Sequence, residues 1–370
     1  MKTPYIPEKL PISSINWVEH VTAIGQANSE IARYDGILQG IVNPQILLSP
    51  LSTREAVISS RIEGTQASLE EVMHFEANDD KQITAEKRDD IAEIINYRRG
   101  IFRAVEQIKE KPICINSIRE LHKVLLTSTR GADKEPGEIR RTQNFIGPYG
   151  ATSIEQATYI PPRPEIVMDA LTDWEFYLHG PEKDSLVQTA ILKAQFELIH
   201  PFRDGNGRIG RMLVPLILFD KKHLSQPLFY ISGYLESNRD EYYDCLQGIS
   251  QDRDWNSWIA FFLKAIIMQA KENSAKAKSI LELYNNTKDI VPDITGSKYG
   301  IQAIDTIFSR PIFTSSYFFE QSDIPKQTAH RVLSRLQETD VVKIVREGSG
   351  RRPNLYVFPQ LIEIVDKFQA

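Results

Sequence analysis

Few features of a secreted or membrane-bound protein occur in this sequence. Cysteine is scarce: Cys114 and Cys245 are the only two among 370 residues, which argues against a disulfide framework and favours free thiols buried in a reducing compartment. The longest apolar run, residues 212–219, is too short to span a bilayer, and residues 1–7 lack the apolar core of a signal peptide. We therefore expect a cytoplasmic protein that makes no membrane contact.

A strong charge of either sign is also lacking. The 44 Lys and Arg residues against 49 Asp and Glu residues leave a net charge of −5, which argues against general attraction to nucleic acid or membrane surfaces, although local patches can still be basic. A hydrophobic content of 41% is ordinary for a globular protein, and the length allows two or three domains with a sizeable core.

The chain is organised around a glycine-containing turn that joins two helical patterns. Asp184 and Ser185 are suited to cap the first helix, and Pro201 cannot continue it because proline lacks an N–H and clashes with the preceding turn. A second apolar segment covers residues 208–219. The turn and its flanks have the sequence His200-Pro201-Phe202-Arg203-Asp204-Gly205-Asn206-Gly207-Arg208-Ile209-Gly210-Arg211.

This turn suits the binding of a phosphate. Gly205 and Gly207 let the backbone approach a ligand closely, and the free N–H groups at the start of the second helix favour an anion. Arg208 and Arg211 lie one turn apart and can add charge-assisted, bidentate contacts. The sequence therefore predicts an anion site at the start of the second helix.

Two further side chains of the turn indicate catalysis. Asp204 has the wrong sign to contact a phosphate directly, but a carboxylate can hold magnesium, which completes its shell with phosphate oxygens and water. His200 ends the first helix beside the anion site, where a neutral imidazole can take a proton near pH 7. Because all these groups fall within residues 200–211, a purely structural turn is the weaker interpretation.

Residues 200–211 resemble the motif of Fic-domain AMP transferases, His-Pro-Phe-x-(Asp/Glu)-Gly-Asn-Gly-Arg-x-x-Arg, at every fixed position. The resemblance implies a mainly α fold, with a helical core and a β-hairpin flap. It also implies that His200 is the general base and that Asp204 binds Mg²⁺. The ATP phosphates are then expected to contact Gly205, Asn206, Gly207, Arg208 and, at the γ-phosphate, Arg211.

An N-terminal helix is predicted over residues 52–64, where Ser52 and Glu55 form a capping box and Gly64 provides the stop. Glu63 stands in the last turn of this helix, where the helix dipole disfavours a carboxylate slightly. From the residues alone, an exposed Glu63 without a role is as reasonable as a functional one.

Residues 59–64 resemble the inhibitory signature of many Fic proteins, (Ser/Thr)-x-x-x-Glu-(Gly/Asn). The resemblance implies an ion pair between Glu63 and Arg211. Because Arg211 can fork onto one carboxylate or one γ-phosphate, the pair would compete with ATP. We therefore expect an enzyme that is autoinhibited by Glu63.

Several other patterns indicate packing rather than chemistry. Helical patterns cover residues 15–38, 84–110, 117–126 and 258–269. Pro44 and Pro50 mark an irregular connection, and Ser68 with Glu71 forms a second capping box. His122 lies in the third of these helices and is expected to serve packing or to lie at the surface.

Two segments around the motif acquire roles only through the resemblance. The loop-rich residues 137–164 contain a β-prone stretch that resembles the Fic flap, and a target protein is expected to pair with the chain near residues 157–162; an ordinary surface loop is the alternative. The resemblance implies that Asn238 contacts the nucleotide, and it suggests the same role for Tyr234 and Tyr242. Tyr243 is assigned to the core.

The C-terminal part resembles a winged helix-turn-helix domain of the α+β class. Helices are predicted over 314–320 and 323–338, followed by a strand pair over 341–345 and 355–358. The exposed residues would be Lys326, Gln327, Arg331 and Arg335 on the second helix, with Arg351 and Arg352 on the wing. Residues 311–352 carry a net charge of only +2, so DNA binding, protein docking and dimerisation all stay open.

The patterns together predict four regions: an N-terminal helical region 1–110 with the inhibitory helix 52–64, the Fic catalytic core 111–270, a linker helix region 271–300 and the winged-helix domain 301–370. We predict transfer of AMP from ATP to a Tyr, Thr or Ser hydroxyl of a protein, including the chain itself. Two alternatives are removal of AMP from a modified protein and a nucleotide-sensing DNA-binding regulator. A homodimer is also open.

Overall fold

The computed structural model describes residues 3–79, 83–127, 129, 133–148, 150 and 152–366. The ends of the predicted outer regions, residues 1–2 and 367–370, lie outside the described residues, as do residues 149 and 151 of the predicted flap loop. Helices dominate the fold, which confirms the mainly α prediction. None of the described helices has both the length and the hydrophobicity that crossing a bilayer requires.

The N-terminal region consists of helices. These are α1 (Trp17–Gln39), α2 (Pro44–Leu47), α3 (Ser49–Ile62), α4 (Leu69–Glu76) and α5 (Ala85–Glu110). The predicted capping box of α4 is present, since Ser68 accepts from the N–H of Glu71 and the Glu71 carboxylate accepts from the N–H of Ser68. Gly64 follows α3 with φ +100°, a left-handed conformation that suits the stop predicted there.

The start of α3 differs from the prediction. Pro44 and Pro50 do not lie in an irregular connection: each stands in the first turn of a helix, where its fixed φ is favourable and its missing N–H costs no hydrogen bond. The helix therefore begins at Ser49, three residues before the predicted capping box. Glu55 is not a cap, because its carboxylate accepts hydrogen bonds from the backbone N–H and the hydroxyl of Ser232.

The central region is built from seven helices of the described chain and one short 3₁₀ turn. The helices are α6 (Ile115–Leu125), α7 (Pro164–His179), α8 (Ser185–Ile199), α9 (Asn206–Asp220), α10 (Ser232–Ser237), α11 (Arg239–Asp252) and α12 (Trp255–Thr295), and the turn is Ile154–Gln156. Almost every residue of α8 and α9 is buried, so these two helices form the centre of the core. The predicted boundary at residue 271 falls inside α12, which continues without a break through a buried stripe that includes Ala277 and Ile280.

The C-terminal region combines helices with a small sheet. Its elements are α13 (Gly300–Ser309), β1 (Ile312–Thr314), α14 (Ser315–Gln321), α15 (Lys326–Glu338), β2 (Lys343–Arg346), β3 (Leu355–Val357) and α16 (Pro359–Asp366). The strands are antiparallel in the order β1-β3-β2, with Ile312 opposite Val357 and Ile344 opposite Tyr356. The helix, helix and hairpin order is the predicted one, while β1 was not predicted. Assignment to the winged-helix class stays a prediction.

Details of this region correct two expectations. The predicted helix 323–338 begins three residues later, at Lys326, because Asp323 has a left-handed φ of +52° and Pro325 directly precedes the first helical residue. Arg352 does not project freely from the wing but donates to Asp79, which also accepts from Arg346. The basic side chains predicted for the outer face of α15 are exposed.

Contacts between the regions position the site. Helix α3 packs against α5, α9 and α10, and α5 packs against α6 and α9. This arrangement brings the C-terminal end of α3 to the first turn of α9. Cys114 and Cys245 are free, as predicted, but half-buried rather than fully buried.

Candidate active site

His200 stands at the junction between α8 and the turn. Asp184 caps the start of α8 by accepting from two backbone N–H groups, and the helix ends at Ile199, directly before His200. His200 has φ +51°, a left-handed conformation that is uncommon for a residue with a side chain and that recurs at functional sites. Pro201 then prevents the helix from resuming.

The environment of His200 favours a neutral imidazole. Its Nδ1 lies 3.2 Å from the carbonyl oxygen of Glu197, so a neutral ring donates through Nδ1 and carries its lone pair on Nε2. Burial lowers the pKa of His200 below 6.5 and outweighs the opposing effects of the Glu197 carbonyl and the Glu63 carboxylate. At neutral pH the ring can therefore accept a proton on Nε2.

Asn206 shapes the turn rather than offering its side chain to a ligand. Its amide donates to the carbonyl oxygen of Phe202 and accepts from the N–H of Phe202, both at 2.8 Å, and the residue is buried. Of the atoms of Asn206, the backbone N–H in the first turn of α9 is the one suited to an anion. Gly205, with φ +76°, makes the left-handed turn that leads into α9.

His122 supports the turn, although the sequence indicated only packing or the surface. Its ring stacks on Phe202 at 3.8 Å between centroids and is fully buried. Nδ1 accepts from the N–H of Gly137, so Nε2 carries the proton and donates to the carbonyl oxygen of Asp204 at 2.9 Å. Burial lowers the pKa of His122 to about 4, which keeps this tautomer neutral.

Arg140 is the positioning residue that sequence reasoning missed. Its guanidinium donates to the carbonyl oxygens of His200 at 2.9 Å and of Pro162 at 2.5 Å, and its backbone N–H donates to Pro201. Burial lowers its pKa to about 10. The neighbouring Arg141 is exposed. Two adjacent arginines look alike in the sequence, which therefore does not indicate that only Arg140 is buried. Arg140 joins the histidine turn to the flap.

Glu63 and Arg211 form the ion pair that the resemblance implies. The Arg211 guanidinium donates to the Glu63 carboxylate at 2.7 Å, and also to the hydroxyl and the carbonyl oxygen of Ser59 at 2.8 and 2.7 Å. Burial raises the pKa of Glu63, but Arg211 and then Arg208 outweigh it, so the pKa is lowered and Glu63 is ionised at neutral pH. Burial lowers the pKa of Arg211, and Glu63 reverses that shift.

Arg208 has a partner that the sequence did not suggest. Its guanidinium donates to Glu93 of α5 at 2.5 Å and to Asp204 at 3.3 Å, and only 3% of the side chain is exposed. Its Nε is buried without a hydrogen-bond partner in the described chain. The buried guanidinium of Arg208 is therefore already hydrogen-bonded to two carboxylates of its own chain.

Asp204 is the one side chain of the turn suited to a metal ion. Its side chain is 43% exposed, and its Oδ1 accepts from the N–H of Gly205 and from Arg208. The described residues contain no group of three or more His, Cys, Asp or Glu side chains that could hold a metal ion. A single exposed carboxylate fits Mg²⁺ that arrives with phosphate ligands, since that ion keeps water and phosphate in most of its shell.

A charged network lies beneath Arg211. The ammonium of Lys193 is fully buried and donates to Glu197 at 2.8 Å and to the Tyr242 hydroxyl at 3.0 Å, while that hydroxyl donates to Glu197. Tyr242 is thus buried in the protein, and the structure does not support its weak assignment as a nucleotide contact. Tyr243 is 42% exposed rather than part of the core, because α11 begins at Arg239 and turns residue 242 inward.

Asn238 lies at the junction of α10 and α11, where its side chain donates to the carbonyl oxygen of Tyr234 at 2.9 Å. Tyr234 itself is buried. The role of Asn238 toward a nucleotide stays a prediction.

The flap segment is already engaged within the chain. An antiparallel bridge joins Ile146 to Tyr159, and Ile160 accepts from the backbone N–H of Tyr5. The carbonyl oxygens of Pro161 and Pro162 accept from Gln143 and Arg140. Since prolines also lack an N–H, residues 159–162 have few free main-chain groups for strand pairing. Docking of a target near residues 157–162 stays a prediction.

Two segments of the chain match protein-family models. Residues 21–106 match the model described as Fic/DOC family N-terminal, and residues 112–218 match the model described as Fic/DOC family. The two segments together cover more than half of the chain.

Curated relatives match over part of the chain. The protein adenylyltransferase fic-1 of Caenorhabditis elegans is 34% identical over 109 residues, which are 29% of this chain and 19% of that protein. The protein adenylyltransferase Fic of Drosophila grimshawi is 33% identical over 115 residues, 30% of this chain and 21% of that protein. The chain thus spans about a fifth of the length of these relatives.

Solved structures share the fold. A Fic family protein from Desulfovibrio desulfuricans G20 superposes with a TM-score of 0.55 at 21% identity, and the match covers 96% of this chain and 98% of that one. A fragment of Fic-1 from C. elegans superposes with a TM-score of 0.52 at 21% identity over 71% and 74% of the two chains.

Proposed function

Since this chain belongs to the Fic/DOC family, we propose that it is a protein adenylyltransferase that moves AMP from ATP to a Tyr, Thr or Ser hydroxyl of a protein, including itself. One observation carries the proposal: a carboxylate of the chain, Glu63, is held by Arg211 at the start of α9, beside a neutral His200. A helix N-terminus and a buried arginine that attract one anion suit the phosphates of a nucleotide.

In the proposed reaction, His200 Nε2 takes the proton of the acceptor hydroxyl. The hydroxyl oxygen attacks the α-phosphorus of ATP in line, so that a new O–P bond forms as the bond to pyrophosphate breaks. Arg211, once released from Glu63, binds the γ-phosphate, and the backbone N–H groups of Asn206 and Gly207 lie along the phosphates. Asp204 would hold Mg²⁺, which supplies neutralisation of phosphate charge. Asn238 would border the nucleotide.

Restraint by Glu63 follows from the charges. The guanidinium of Arg211 cannot make a bidentate contact with the γ-phosphate while it binds a carboxylate. Two anions at one arginine also repel each other. Arg208 adds to the restraint, because its pairing with Glu93 leaves it poorly placed to bind a second anion. We therefore propose an enzyme whose resting form binds ATP weakly or in a misdirected way.

Mutation of the ion pair tests the proposal. Glu63→Gly should raise transfer of labelled AMP to the chain itself by about 5- to 150-fold, because typical coupling free energies between two sites correspond to factors of this size. His200→Ala in that background should lower transfer by about 10²- to 10⁴-fold, because a positioned base contributes that much. Glu70→Gly, which removes an exposed carboxylate of α4, is the matched control.

The outcomes separate the alternatives. Equal AMP transfer by Glu63→Gly and by the double variant with His200→Ala would contradict the assignment of the base. Mass spectrometry identifies the transferred group, and loss of AMP from a pre-modified chain that depends on Glu63 would favour the removal reaction. A gel shift that survives about 150 mM salt without any transfer would favour the DNA-binding regulator.

A further inference from the structure

A cavity lies between helices α3 and α5. None of residues 200–211 lines it, and helix α9 contributes to it through Pro215. Its volume is about 530 Å³, within the range of pockets that bind small molecules. The remaining wall comes from Gln45 of α2, Glu76 of α4 and the segment 227–230. The cavity is thus separate from the candidate active site.

The inner wall of this cavity suits an apolar body. Its apolar side chains include Ile95, Ile101, Val105, Leu228 and Phe229. Four polar side chains of the wall are paired with each other: the hydroxyl of Ser52 with that of Tyr230 at 3.0 Å, and Arg98 with both oxygens of Glu76 at 2.9 and 3.0 Å. An occupant therefore has little hydrogen bonding to satisfy inside the cavity.

The mouth of the cavity is cationic. Arg99 and Arg103 lie one turn apart on α5 and are exposed, and within the described residues neither makes a hydrogen bond or an ion pair. Phe102 stands between them with 59% of its surface exposed. Two unpaired guanidinium groups beside an apolar wall favour a ligand with a single anionic end.

The acidic groups of the cavity do not oppose such a ligand. Glu76 is neutralised by Arg98, and Glu55 is buried, with its oxygens accepting from Ser232. The net field at the mouth is therefore set by Arg99 and Arg103.

We propose that this cavity binds a small amphipathic anion, with an apolar acyl or aromatic body in the cavity and one carboxylate or sulfonate at Arg99 and Arg103. An occupant would touch Tyr97, whose hydroxyl is hydrogen-bonded to Ser59, and Ser59 in turn binds Arg211. The ligand would thus lie against α3, the helix that directly precedes Glu63. The proposal is independent of AMP transfer.

Fluorescence titration of the full chain with 8-anilinonaphthalene-1-sulfonate tests this proposal. We expect saturation at one probe per chain and displacement by dodecanoate but not by dodecanol. Arg99→Gln with Arg103→Gln should weaken probe binding by about tenfold or more, since charge-assisted contacts are lost. The matched control is Arg331→Gln with Arg335→Gln, which removes two exposed arginines at the same spacing from α15.

A second variant checks the site without removing a cation. Phe102→Glu should also weaken binding, whereas Phe176→Glu, at a 76% exposed position of α7, should not. Circular dichroism and unfolding temperature verify that each variant is folded. Equal binding by all variants, equal displacement by dodecanol, or a dimer in sedimentation that Phe102→Glu dissociates would overturn the proposal. The last result would mean that the mouth of the cavity is covered by a second copy of the chain.

Discussion

The carboxylate of Glu63 fills the space that a side chain on Gly207 would occupy. A Cβ on Gly207 would overlap Oε1 of Glu63 and would lie 3.0 Å from a guanidinium nitrogen of Arg211. Because Gly207 belongs to the first turn of α9, the carboxylate rests near the positive end of that helix dipole. The Glu63 carboxylate thus interacts with the N-terminus of α9 and with Arg211, the two groups that would bind an incoming phosphate.

This overlap predicts that Gly207→Ala and Glu63→Gly are not additive. In the parent chain the new methyl group must displace the carboxylate, so Gly207→Ala should lower the free energy of unfolding by about 1–3 kcal/mol. With Glu63→Gly the loss should be smaller, because the overlapping atoms are gone. Urea unfolding of the four chains measures both differences.

Gly205→Ala is the matched control for that cycle. Gly205 has φ +76°, so alanine is strained there whether or not Glu63 is present, and its cost should be the same in both backgrounds. An equal cost of Gly207→Ala in both backgrounds would mean that Glu63 does not rest on Gly207.

The pKa of His200 predicts the pH dependence of transfer. A general base must be neutral, and burial lowers the pKa of His200 from 6.5, so the acid limb of kcat/KM should have its midpoint below pH 6.5. The Glu63 carboxylate raises the pKa of His200, so Glu63→Gln should move the acid limb to still lower pH. Initial rates of AMP transfer between pH 5 and 8 measure this limb. An acid limb above pH 6.5, or one that Glu63→Gln moves upward, would contradict the assignment.

Arg140 is predicted to position His200 rather than to bind nucleotide. Arg140→Lys keeps the charge, but one ammonium group cannot hold the carbonyl oxygens of both His200 and Pro162. We expect kcat to fall by about 10- to 100-fold in a Glu63→Gly background, with the KM for ATP nearly unchanged, since small shifts of a catalytic group have effects of this size.

Arg141→Lys serves as the control for Arg140, because the neighbouring arginine is exposed. It should alter neither constant. A rise in the KM for ATP with kcat retained would assign Arg140 to nucleotide binding, and a loss of folding measured by circular dichroism would assign it to stability alone.

Local signals in the sequence predicted local features well. The cap at Asp184, the helix end before Pro201, the capping box of Ser68 and the stop at Gly64 all depend on residues within one turn of each other. Such signals act over the range of a few backbone hydrogen bonds, so the order of the chain is enough to read them. The ion pair of Glu63 with Arg211 was predicted only through the family resemblance.

Errors arose where a residue's partner is far along the chain. Glu55 has the spacing of a capping residue but binds Ser232 of another helix, and Arg208 is paired with Glu93 across 115 positions. Tyr242 and Tyr243 are adjacent and chemically alike, yet only Tyr242 turns toward the buried Lys193. Because neighbouring residues of a helix point in different directions, an error of one residue in the expected orientation exchanges the buried and the exposed side chain.

The amino-acid order alone specifies the groups that suit a phosphate at the turn: the imidazole of His200, the carboxylate of Asp204, and the glycines and arginines that lead into α9. Which of these groups are free to bind a ligand depends on how the distant helices pack. Arg211 is bound by Glu63, Arg208 by Glu93, and the turn is held by Arg140 and His122. The physical reason is that buried charges and carbonyl oxygens must be paired, and the packing of distant helices selects the partner.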